Sequence, residues 1–127
     1  MIIDCDVHHA RRSPEELVKY LDEPWKSEFM KYGERKVESG TINEGGFRWD
    51  SYPPSGGLPG SDPALMKEQL LDKYNYTYAI LTGSGYHVNA IPDPDYAHAL
   101  CKAYNDHLIE EWLPKDKRFK GVILVAH

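Results

Sequence analysis

Cysteine is scarce: Cys5 and Cys101 are the two among 127 residues. That excludes a small domain held by a disulfide framework, and the expected setting is the reducing cytoplasm. Long apolar runs are missing too. No stretch approaches the roughly 18 residues of a membrane span, and the opening MIIDCDV lacks the basic start and apolar core of a signal peptide. Basic charge is in deficit. Fifteen Lys and Arg against twenty Asp and Glu give a net charge of −5, which argues against nucleic acid as a partner, because that partner selects a basic face. The remainder, 41% apolar and 28% charged, suits one globular domain able to bury a core without staples.

Three strands are expected, at Ile2–Val7, Thr77–Thr82 and Gly121–Ala126. Each is short and largely apolar, as buried parallel strands are. Helix signals lie between them. Ser13 with Pro14 and Glu16 reads as a capping box, Leu17 and Leu21 then share a face, and Pro24 ends that segment. Asp62-Pro63 opens a second helix with Leu65, Met66, Leu70 and Tyr74 at helical spacing. Asp93-Pro94 opens a third and longest one. Its stripe is Ala97, Leu100, Cys101, Tyr104, Leu108 and Trp112, and Pro114 follows its end. Residues 39–61 read as one irregular loop rich in glycine and proline. Such a loop in a compact domain is a lid or a linker; Phe47, Trp49 and Tyr52 favour a lid, since linkers seldom carry aromatics.

Long helical connections imply parallel strands with right-handed crossovers. The chain then stops one residue after an apolar strand with no helix to cover it, so the reading is of a leading portion. A (β/α)₈ barrel takes about 250 residues, and this chain would supply the first three strands of one.

The chemistry gathers at strand ends, where parallel α/β folds place their active sites. In Asp4-Cys5-Asp6-Val7-His8-His9 the alternation puts Asp4, Asp6 and His8 on one side. A carboxylate and an imidazole two residues apart suit one divalent ion. Spacing alone leaves open the plainer reading of a solvated strand end. The second strand runs into Gly83-Ser84-Gly85-Tyr86-His87, and the third into His127. Gly83-Ser84-Gly85 lacks the rest of a nucleotide fingerprint. His87 alone reads as an exposed loop histidine, and His98 and His107 as surface or packing residues. Cys5 and Cys101 read as core fillers.

The opening IIDCDVHH resembles the first strand of the amidohydrolase superfamily, in the aminocarboxymuconate-semialdehyde decarboxylase-like (amidohydrolase 2) branch, which also includes resorcylate decarboxylase. That branch commonly shows His, Glu or Asp, then one residue, then His. The pair maps onto Asp6 and His8, with Asp6 in place of the commoner histidine. A second stretch, Ala103-Tyr104-Asn105-Asp106-His107 through Glu111-Trp112 to Lys117-Arg118-Phe119-Lys120-Gly121, resembles the family's segment before its third strand.

The resemblance implies the N-terminal part of a TIM-like (β/α)₈ barrel holding one divalent metal ion, zinc or manganese. Asp6 and His8 are its expected ligands, and later ligands and the catalytic histidine fall beyond His127. It implies hydrolysis or non-oxidative decarboxylation of a small carboxylic-acid or cyclic C–O or C–N substrate, incomplete in this chain alone. Arg48, Trp49, Tyr52, His87 and His127 are the candidate substrate contacts. The alternative is a non-catalytic α/β fragment, or a module that forms a homo-oligomer through its open sheet edge. Neither reading calls for a membrane.

Overall fold

The computed structural model describes residues 1–34, 47–83 and 85–126. Residues 39–46 of the expected lid, Ser84 of the glycine turn and His127 therefore lie outside the described residues. Three strands form one parallel sheet: β1 (Ile3–Val7), β2 (Tyr78–Leu81) and β3 (Phe119–Gly121), in that spatial order. The expected parallel order thus stands. β1 and β2 pair as Ile3 with Tyr78, Asp4 with Ala79, and Val7 with Leu81. β1 advances three residues there while β2 advances two, so an irregularity falls at Cys5-Asp6. β2 and β3 pair in unbroken register from Ala79–Phe119 to Leu81–Gly121.

Helices and shorter helical turns separate the strands. A 3₁₀ segment, Pro14–Tyr20, follows β1 and leads to α1 (Trp25–Tyr32). Next come α2 (Pro63–Met66), which widens into a π turn over Lys67–Asp72, and α3 (Pro94–His107), which widens likewise over Leu108–Trp112. Asp62 and Asp93 cap their helices as expected. The Asp62 carboxylate accepts from the amides of Ala64 and Leu65, and the Asp93 carboxylate from those of Asp95 and Tyr96.

The core has two parts. Leu17, Leu21, Phe29, Val88, Tyr96, Leu100 and Tyr104 are buried together beneath α3, while Val7, Leu71, Ala79, Leu81, Trp112 and Phe119 are buried on the sheet. The α3 stripe is buried throughout, from Ala97 to Trp112. Among the described residues no helix is long and apolar enough to cross a membrane.

Five expectations are corrected. Ser13 makes no capping hydrogen bond, and the segment after it is 3₁₀; the Glu16 carboxylate accepts instead from the Arg12 amide at 2.9 Å, so the box closes one residue early. Pro24 does not end the helical region but stands at the N-terminus of α1, a helix not expected from the sequence. In the second helix Met66 and Leu71 are buried, while Tyr74 is exposed. The π turn inserts one residue per turn and shifts the buried stripe from four to five positions on. Cys5 is exposed rather than a core filler, because only the Val7 end of β1 is covered; Ile3 is exposed too. Finally, β3 pairs only over Phe119–Gly121, and residues 122–126 of the expected third strand run on outside the ladder.

Candidate functional site

Asp6 is the last polar residue of β1, and His8 is the first residue past it. Their side chains leave the strand on the same side, and His8 Nε2 stands 3.0 Å from Asp6 Oδ1. Both are open to solvent, with side chains 77% and 64% exposed for Asp6 and His8 respectively. Asp6 is held at both its backbone and its side chain. Its backbone amide donates to Asp4 Oδ1 at 3.1 Å, and the Thr82 hydroxyl donates to Asp6 Oδ1 at 3.1 Å. Thr82 directly follows β2, so the second strand end orients the ligand candidate of the first. In the sequence Thr82 reads only as a strand residue; its adjacency to Asp6 depends on register, which the residue string does not carry.

The donor set can be tested against a divalent ion. Two ligands bound about 2.0–2.2 Å from one ion stand roughly 3 Å apart in an octahedral shell and about 3.5 Å apart in a tetrahedral one, and the Asp6–His8 gap of 3.0 Å is close to both. Oxygen and nitrogen donors of this kind suit zinc or manganese. The pair therefore fits two coordination positions. Among the described residues no group of three or more His, Cys, Asp or Glu converges to complete a shell, so the remaining positions fall to water or further donors.

His9 points the other way and is buried, 8% exposed. Its ring lies edge-on to Trp112 with centroids 5.2 Å apart, and Nδ1 has no hydrogen-bond partner among the described residues. Burial pushes its pKa down to about 4, with His107 and His8 adding to the effect, so the ring is neutral at pH 7. Gly83 makes room for it. At φ +72° this residue takes a left-handed backbone, and a Cβ there would stand 2.7 Å from His9 Cε1.

The other candidates do not gather at Asp6 and His8. Trp49 is 90% exposed and lies tilted against Tyr52 at 5.9 Å between ring centroids, while Arg48 is paired with Asp50. Near them, Arg12 holds the loop by donating to the carbonyls of Ser55 (2.8 Å) and Gly56 (3.2 Å). A cavity of about 290 Å³ opens beside that anchor, lined by Arg12, Ser61, His107, Trp112 and Lys115 among others, and neither Asp6 nor His8 lines it.

His87 is not the exposed loop residue that its position suggested. Its Nε2 lies 2.7 Å from Glu34 Oε2, and the Glu34 side chain is only 4% exposed. Arg11 Nη2 donates to Glu34 Oε1, and the Tyr104 hydroxyl donates to the same oxygen at 2.9 Å. Burial pushes the Tyr104 phenol up, which keeps it a donor. The residues joining here come from four separate segments, and the sequence offered no spacing that would have linked them.

Comparison with known protein families gives no match, and no characterised protein matches the chain in sequence.

Proposed function

We propose that the chain is the leading part of an amidohydrolase-type (β/α)₈ barrel, acting in metal-dependent hydrolysis or non-oxidative decarboxylation of a small carboxylic acid. The observation that carries this reading is the Asp6–His8 pair, 3.0 Å apart at the carboxyl end of a parallel strand. The β1-β2-β3 order of parallel neighbours supports it, since a barrel adds its strands in sequence.

In this reading Asp6 and His8 hold one zinc or manganese ion. Such an ion polarises a carbonyl or carboxylate and lowers the pKa of its bound water. Asp6 would supply an oxygen donor and His8 a nitrogen donor. Thr82 fixes the Asp6 carboxylate by donating to Oδ1, leaving Oδ2 and the second lone pair of Oδ1 for other partners. The amide bond to Asp4 holds the backbone that carries Asp6.

Calorimetric titration of zinc and manganese into the chain tests the assignment. One ion should bind weakly, because two protein ligands leave most of the shell to water. Asp6→Ala and His8→Ala should each abolish that binding. Tight binding that survives both substitutions would falsify the assignment.

A second reading, association through the sheet edge, is favoured by the exposed run Val122, Ile123 and Val125 beside β3; open apolar edges pair with other chains. Sedimentation of the chain at twice its mass, lost on Ile123→Lys, would support it.

A further inference from the structure

The Glu34 side chain sits where a ligand's carboxylate would. Three donors converge on it: the Arg11 guanidinium and the Tyr104 hydroxyl on Oε1, and the His87 imidazole, 2.7 Å away, on Oε2. The guanidinium also donates to the Tyr104 hydroxyl and lies over that ring, 5.4 Å from its centroid. A cation, a phenol and an imidazole facing one planar anion make up a carboxylate receptor.

Its placement is that of a ligand subsite. Arg11 is three residues past His8, and His87 lies on the 3₁₀ turn Gly85–Ala90 that follows β2. Both therefore belong to segments leaving the carboxyl ends of strands, the side on which Asp6 and His8 lie. Tyr104 comes from the buried face of α3. Glu34, by contrast, is delivered from the end of α1. Gly33 closes that helix at φ +68°, its amide donating to the Phe29 carbonyl, and its own carbonyl accepts from the Tyr96 hydroxyl at 2.7 Å.

The receptor is not saturated by its present occupant. Arg11 Nε is buried and has no hydrogen-bond partner among the described residues. A buried ion pair adds little net stability over apolar packing of the same volume, so folding alone does not account for this convergence. Exchange of one carboxylate for another would leave the Arg11 charge paired in both end states.

We propose that Arg11, His87 and Tyr104 form the subsite for a ligand's carboxylate, and that Glu34 is an internal surrogate which the ligand displaces. The inference deepens the reading of a carboxylic-acid substrate, and rests on it for the ligand's identity. The metal pair plays no part in its test.

The probe is acetate, with benzoate as a larger carboxylate, added to the full chain without metal. Glu34→Ala removes the equivalent of one acetate from the receptor. That variant should bind acetate saturably, with a rise in melting temperature that Arg11→Met in the same background abolishes. In the unaltered chain both carboxylates should shift the His87 ring resonances saturably, at least tenfold more weakly than in Glu34→Ala. If Glu34→Ala does not fold, recovery of the fold by acetate but not by chloride supports the receptor equally. Silent His87 resonances in the unaltered chain overturn the proposal even where the variant binds acetate, since Glu34 is then a fixed structural partner. Absence of both binding and rescue in Glu34→Ala overturns it as well. Failure of metal titration at Asp6 and His8 leaves these outcomes unchanged, so the two readings fail separately.

Discussion

The side-chain amide of Asn105 forms a reciprocal pair of hydrogen bonds with the backbone of Leu124: Nδ2 donates to the Leu124 carbonyl, and Oδ1 accepts from the Leu124 amide, both at 2.9 Å. The amide of α3 thus stands in for a strand partner. It holds the segment after β3 in place, where the ladder itself has ended at Gly121. The Val122 amide still donates to the Leu81 carbonyl at 3.0 Å, so Asn105 takes over two residues beyond the last sheet bond.

Asn105→Ala should free that segment. Loss of two hydrogen bonds with partly buried partners costs about 1–3 kcal/mol. Amide exchange at Leu124 should accelerate strongly, while exchange at Leu81 in the sheet changes little. Equal acceleration at both would mean that Asn105 supports the whole fold and not this segment.

Gly83→Ala should destabilise the chain by about 1–3 kcal/mol, from the left-handed backbone and the contact with His9 together. Urea unfolding measures the loss. Adding His9→Ala removes the ring that the new Cβ meets at 2.7 Å, so the double variant should be more stable than the sum of the single changes predicts. Strict additivity would show that the backbone angle alone carries the cost.

His9 makes stability depend on pH. Its folded pKa of about 4 lies below the ordinary histidine value of 6.5, so between these values the unfolded chain binds a proton that the folded chain does not. Stability is full above about pH 6.5 and falls as the pH drops toward 4, by at most about 1.4 kcal/mol per pH unit. His107 is shifted the same way, chiefly by burial, and adds to the slope. Urea unfolding at pH 7, 6 and 5 should show a shallower fall in His9→Leu than in the unaltered chain. An unchanged slope would place the titration elsewhere.

Asp116 acts at lower pH. The Arg118 side chain binds it through Nε at 3.0 Å and Nη2 at 2.7 Å, and the Arg118 amide donates at 2.9 Å. Arg118 holds the Asp116 carboxyl down at about 2. The stability this gives is present above about pH 4 and is lost as the pH falls toward 2. Asp116→Asn should therefore be less stable than the unaltered chain at pH 6, and the gap should close in acid. A gap that persists at pH 2 would attribute the effect to packing.

Thr82→Val keeps the volume of the side chain but removes the hydroxyl that donates to Asp6. If Asp6 and His8 hold a metal ion, its affinity should drop roughly tenfold or more, with the melting temperature of the metal-free chain little changed. Thr82→Ser should retain the affinity.

The residue order by itself determined a good deal. Apolar runs of four to six residues separated by helix-length connections specify parallel strands, and the sheet has them in the expected order. Asp62 and Asp93 cap helices because a carboxylate before Pro meets the free amides of the first turn, a contact within three residues. The same-side placement of Asp6 and His8 follows from the pleat, also a local rule. Tertiary structure decided whatever depends on partners distant in sequence. Met66 and Leu71, not Tyr74, face the core because the helix widens where it packs. His9 is neutral because Trp112, more than a hundred residues away, and Gly83 enclose it. Thr82 meets Asp6 only through strand register. Arg11, Glu34, His87 and Tyr104 meet only because β1, α1, β2 and α3 deliver them to one place. Alternation and capping act over a few bonds and are written in the string; burial and convergence are set by the packing of whole elements, which no short stretch of sequence encodes.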